Sequence, residues 1–202
     1  MGLFGPSQNE IWAQLSEEVN GSFVKGSFFK GSRVEVSHEP WTIYLDTFSV
    51  STGKTSVMYT RMRAPFINLH DLYFKIYKRG IFSKMGKFFG MQDIEVGYSD
   101  IDEDYIIKGN NETAIKNLLT SSRIRNLIKE QPRFNIEIKE SEGLFGPTMK
   151  QNERILYFQA DRIITDISLL KSLFDLFGEI MEELNRLGYV SSERPSVQLF
   201  KD

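Results

Sequence analysis

The residues best suited to chemistry in this chain lie in a run without acids, LYFKIYKRGIFSKMGKFFGMQ, at positions 72–92. Lys75, Lys78, Arg79, Lys84 and Lys87 alternate there with Tyr73, Phe74, Tyr77, Phe82, Phe88 and Phe89. Folded as a short helix, residues 80–90 would gather Ile81, Phe82, Met85, Phe88 and Phe89 on one face and leave Lys84 and Lys87 opposite. Such a basic amphipathic turn suits an anionic membrane surface or a protein partner. Together with Arg61 and Arg63 on a neighbouring strand, it could also stack and neutralise single-stranded nucleic acid. The competing interpretation is a crossover whose phenylalanines fill the core beneath snorkelling lysines. The candidate binding residues are therefore Arg61, Arg63, Tyr73, Lys75, Tyr77, Lys78, Arg79, Lys84 and Lys87.

Other chemical patterns are incomplete. Residues 51–55, STGKT, contain the GKT of a phosphate loop, but the glycine required five residues before Gly53 is Phe48. Asp100, Asp102 and Asp104 have the first spacings of a calcium loop, yet Tyr105 replaces its glycine and Asn111 its final glutamate. An enzyme of unrecognised type acting near residues 100–104 is the rival to a binding role. His38 and His70 belong to no metal-spaced cluster, and no G-x-S-x-G elbow accompanies His70 and Asp71. With no cysteine in the chain, thiolate metal sites and cysteine nucleophiles are excluded. No catalytic residue, metal or cofactor is expected.

Charge is unevenly distributed. Residues 21–91 hold eleven Lys/Arg against four Asp/Glu, whereas residues 92–202 hold fourteen against twenty. The asymmetry marks either an anion-binding half or two halves that attract one another. No apolar run approaches the ~20 residues of a membrane span. The N-terminus lacks a secretory pattern, and Pro6 stands where a myristoylation signal wants a hydroxyl residue. A cytoplasmic protein is the expectation.

The elements that must position these residues follow from periodicity. Ser7 and Glu10 form a capping-box pattern ahead of Ile11, Leu15 and Val19. Residues 33–78 alternate as strands and predict an antiparallel meander. Residues 94–98 and 105–107 predict short strands, Asn111 and Ser122 the starts of helical stretches, and 134–138 with 155–158 a hairpin with a long loop. Leu170, Leu173, Phe177, Ile180, Leu184 and Leu187 recur at heptad spacing, widened by flanking apolar residues. That breadth favours a helix lying on a sheet over a coiled coil, with a homodimer through the seam as the alternative. The fold class is α+β in one domain, 1–202, divisible into a basic β-rich half (1–92) and an acidic half (93–202).

Two GLFGP segments begin at Gly2 and Gly143. One leads into a helix and the other towards a strand, so they predict loop punctuation, with a one-turn helical start at Thr148. The blocks FVKGSFFKGSRVEVSHEPWTIYLDTFSVSTGKTSVMYTRMRAPF and GMQDIEVGYSDIDEDYIIKGNNETAIKNLL resemble a family of bacterial cytosolic proteins defined as a domain of unknown function. The resemblance implies a soluble bacterial α+β protein and carries no catalytic residue or cofactor with it.

Overall fold

The computed structural model describes residues 5–27, 31–51, 53, 55–80, 91–142 and 146–200. Helix α1 (Gln8–Glu18) is followed by strands β1 (Ser22–Val24), β2 (Arg33–His38), β3 (Trp41–Ser51), β4 (Ser56–Ile67), β5 (Phe74–Lys78) and β6 (Gln92–Asp93). Then come α2 (Ser99–Asp102), β7 (Tyr105–Gly109), α3 (Glu112–Leu118), α4 (Ser122–Glu130), β8 (Phe134–Lys139), β9 (Glu153–Ala160) and α5 (Ile167–Arg186). All nine strands share one antiparallel sheet in the order β1-β2-β3-β4-β9-β8-β5-β7-β6, so strands of both halves join in a single layer.

The α+β class stands, and the meander holds for the first four strands. It breaks at β5, which lies beyond the β9–β8 hairpin and pairs with β8 and β7. The intervening turn explains the break. Asn68 closes it by donating from Nδ2 to the Leu72 carbonyl and accepting from the Leu72 amide, while Asp71 takes a left-handed φ of 52°. The β4 edge freed by this turn pairs with β9 from Thr60 to Ile67. Sequential strands are neighbours in only about two-thirds of cases, so sequence order alone could not exclude this insertion. Residues 94–98 form no strand. Pairing reaches Gln92 and Asp93, Ile94 donates to the Ile107 carbonyl, and the chain then enters α2. Thr148 begins no helix; residues 151–152 form a turn instead.

Strand alternation gives the sheet two unlike faces. One row reads Val34–Leu45–Met62–Phe158–Ile136–Ile76–Ile107 across seven strands, and every member is buried. The helices cover this inner face. Ser7 caps α1 with the full capping box, Asn111 caps α3, Ser121 caps α4 and Asp166 caps α5. Leu170, Leu173, Phe177, Ile180 and Leu184 of the α5 seam are all buried in the common core. The helix therefore spends its apolar stripe on its own sheet, as its breadth predicted. Gly178 lets it approach β2 closely, since a Cβ there would sit 2.9 Å from His38 Cε1.

Candidate functional site

The outer face carries the chemistry. One register lower, the row reads Glu35–Tyr44–Arg63–Tyr157–Glu137–Lys75–Lys108–Asp93. Beside it runs Asp46–Arg61–Gln159–Asn135–Tyr77. Asp46 with Arg61, Glu137 with Lys75 and Asp93 with Lys108 thus meet as cross-strand neighbours of opposite charge, a favourable pairing, while Lys75 and Lys108 also stand opposite one another.

At one end Arg61 grips Asp46 edge-on, donating from Nε at 2.8 Å and from Nη2 at 2.6 Å. Arg63 donates to the same carboxylate from Nη2 at 2.8 Å. Glu142, from the loop between β8 and β9, closes the arrangement by accepting from Arg61 Nη1 at 3.2 Å and Arg63 Nη1 at 2.5 Å. Two guanidiniums and two carboxylates alternate, which holds the Arg61 proton well above its ordinary affinity despite burial. Aromatic rings back the cations: Arg61 lies 5.1 Å from the Phe48 centroid, and Arg63 5.0 Å from that of Phe200. Tyr157, the β9 neighbour of Arg63, is kept protonated mainly by burial.

The C-terminal segment reaches this face through Glu153. Its Oε1 accepts from the Ser196 amide at 2.6 Å and hydroxyl at 2.7 Å, while Oε2 accepts from the Lys150 amide at 2.9 Å. Phe200 then packs at 5.5 Å from the Tyr44 ring and 4.3 Å from the Arg33 guanidinium carbon. Between this segment and the loop lies a cavity of about 450 Å³, lined by Arg61, Arg63, Glu142, Pro147, Thr148 and Phe200 among others. The second GLFGP segment, through Gly146 and Pro147, forms part of its wall.

Further along the row, Lys75 is 0% exposed and donates to Glu137 at 3.1 Å. Burial lowers its proton affinity, and Glu137 works against that. Tyr73 donates to Glu140 and accepts from Arg154 Nε at 2.5 Å; burial and Glu140 together raise its pKa. Tyr77 is half-buried, with the Lys75 ammonium 6.0 Å from its ring centroid. Lys78 and Arg79, at the end of β5, are exposed. Arg79 contacts the Asp102 carbonyl at 2.8 Å, and neither has a carboxylate partner among the described residues. Lys84 and Lys87 lie outside the described residues. The nine candidates therefore divide: Arg61, Arg63 and Lys75 sit in the sheet against carboxylates, whereas Lys78 and Arg79 face solvent.

Sequence reasoning missed Asp46, Glu137, Glu142, Arg154 and Phe200. Asp46 and Glu137 did carry a signal, each standing on the polar side of an alternating strand. Glu142 and Phe200, on irregular segments, carried none. Elsewhere, acids near residue 100 serve the fold. Asp102 accepts from the Val96 and Gly97 amides, and Asp100 pairs with Lys129 at 2.5 Å. No cluster of three or more potential metal-ligating His, Asp or Glu occurs among the described residues. His38 stacks on Trp41 and lies 2.8 Å from Glu182, while His70 meets the edge of Tyr189. Ser51, the first residue of the STGKT segment, ends β3 and pairs with Ser56 of β4.

No protein-family model and no curated protein matches the chain. In three dimensions it is similar to the crystal structure of a mycobacterial protein, trehalose monomycolate transport factor A. That likeness covers 95% of this chain and 98% of the other, with a TM-score of 0.52 and 7% identity. At that identity the likeness is one of fold. No helix among the described residues is long and apolar enough to cross a membrane.

Proposed function

We propose that the chain acts as one cytoplasmic unit, residues 1–202, serving as a non-catalytic binding or scaffolding module that docks on an anionic membrane surface. The contact is the end of β5, where Lys78 and Arg79 lead into the segment carrying Lys84 and Lys87. The observation that carries this reading is the contrast in charge pairing. Cations inside the sheet are already matched by carboxylates, while Lys78 and Arg79 are exposed and the sequence supplies no acid from 72 to 92. Each such cation near an anionic surface contributes about 1 kcal/mol. The end-to-end fold likeness to a transport factor supports a binding role over a catalytic one.

Vesicle co-sedimentation tests it. The chain is expected to pellet with vesicles rich in phosphatidylserine at low salt and with neutral vesicles hardly at all. Lys78→Glu/Arg79→Glu and Lys84→Glu/Lys87→Glu should each weaken binding. Failure to pellet, or preference for a single-stranded oligonucleotide in an anisotropy titration, overturns the membrane reading.

A further inference from the structure

We infer that the Arg61–Arg63 cleft is a binding site for a small amphiphilic carboxylate, and that Glu142 occupies it as a built-in competitor. This site is separate from the end of β5 and does not depend on membrane docking.

The receptor is already formed. Asp46, fixed on β3, holds Arg61 Nε and Nη2 and Arg63 Nη2, which leaves one Nη1 of each guanidinium turned to Glu142. The two Glu142 oxygens take one donor each. Each is a charge-assisted hydrogen bond, the strong kind that a guanidinium makes to a carboxylate. Asp46 stands on a strand paired with β4, whereas Glu142 comes from a loop, so Glu142 is the carboxylate that can be exchanged.

Charge sets the ligand's valence. With Glu142 seated, two cations face two anions. Without it, one positive charge stays uncompensated around Arg63, which is 2% exposed, and removing one partner from such a network is strongly unfavourable. A monoanion restores the balance. Arg63 Nε adds a further donor, buried and without an acceptor among the described residues. Beside the guanidiniums, the cavity of about 450 Å³ is lined by the apolar Pro147, Leu199 and Phe200 as well as by Thr148 and Gln198. A carboxylate on a short acyl chain matches both parts.

Competition by a tethered group lowers apparent affinity by the fraction of molecules in which the tether is seated. Octanoate, with octanamide as its neutral counterpart, is the probe for calorimetric titration of the full chain and of Glu142→Gln. Octanoate should bind Glu142→Gln at least about tenfold more tightly than wild type and raise its Tm, because a ligand that binds only the folded state stabilises it. Octanamide should do neither, and adding Arg61→Lys should remove most of the gain. Should Glu142→Gln not fold, Glu142→Asp, too short to span both guanidiniums, is expected to shift affinity the same way. Equal octanoate affinity in wild type and variant, no binding at millimolar octanoate, equal binding of octanamide, or tighter binding of inorganic phosphate would each overturn the inference.

Discussion

Lys75 shows how little a residue's type says about its work. In the sequence it belongs to an acid-free basic run; in the fold it is the buried centre of a charged row, held by Glu137. Desolvating such a pair costs about what the attraction returns, but removing one partner leaves a charge stranded. Lys75→Met is therefore expected to lose about 3–5 kcal/mol in urea unfolding, while Lys75→Met/Glu137→Leu recovers much of it; additive losses would show that the two do not act as a pair. Gly109 makes a different residue-scale case. A Cβ there would lie 2.1 Å from Ile115 Cδ1 and 3.0 Å from the Tyr73 carbonyl oxygen, so the Ile115 side chain occupies the space left by the bare position. Gly109→Ala should destabilise by about 1–3 kcal/mol in the same assay, and a neutral result would mean that Ile115 repacks freely.

Elements with a strong local signature were legible. The capping box at Ser7, the Asn111 cap and the broad α5 stripe each encode their structure within a few turns of chain, and each is present. What was illegible depends on distant partners. Nothing within the β5 sequence says that β9 and β8 will lie between it and β4, and nothing near Glu142 announces two arginines some eighty positions away. The same distinction grades the elements energetically. Ser7→Ala removes a terminal cap on an exposed turn and should cost about 1 kcal/mol, whereas Phe177→Ala empties part of the core and should cost about 3–5 kcal/mol. Chemical denaturation of both variants checks the order. Since the α5 seam is buried in its own core, Phe177→Ala should act through stability; a change in solution mass without loss of stability would instead place the seam at an interface.

At the scale of the molecule, part of the charge asymmetry of the sequence is met inside the fold, while Lys78 and Arg79 remain outside it. The basic half meets the acidic half at Arg61 and Arg63 with Glu142, and at Lys75 with Glu137; further pairs, Asp71 with Arg154 and Glu39 with Arg194, also join the halves. One sheet receives both halves, so the paired cations help to close the molecule. The molecule is also sensitive to acid at a definable place. Burial would raise the Glu153 pKa, but the Lys150 and Ser196 donors outweigh it and bring the folded value below the ordinary 4.5. A depressed carboxylate contributes stability that is complete above the unfolded pKa and lost as pH falls through the folded one. The C-terminal segment that carries Phe200 over Arg63 should therefore loosen below about pH 4.5. The protection factors of residues 194–200, exchange rates relative to the intrinsic rate at each pH, are expected to fall there before those of the sheet. Glu153→Gln should give the lower protection already at neutral pH and flatten the acid response. Exchange that stays slow in the variant would mean that Phe200 and its cation contacts hold the segment without the Glu153 anchor.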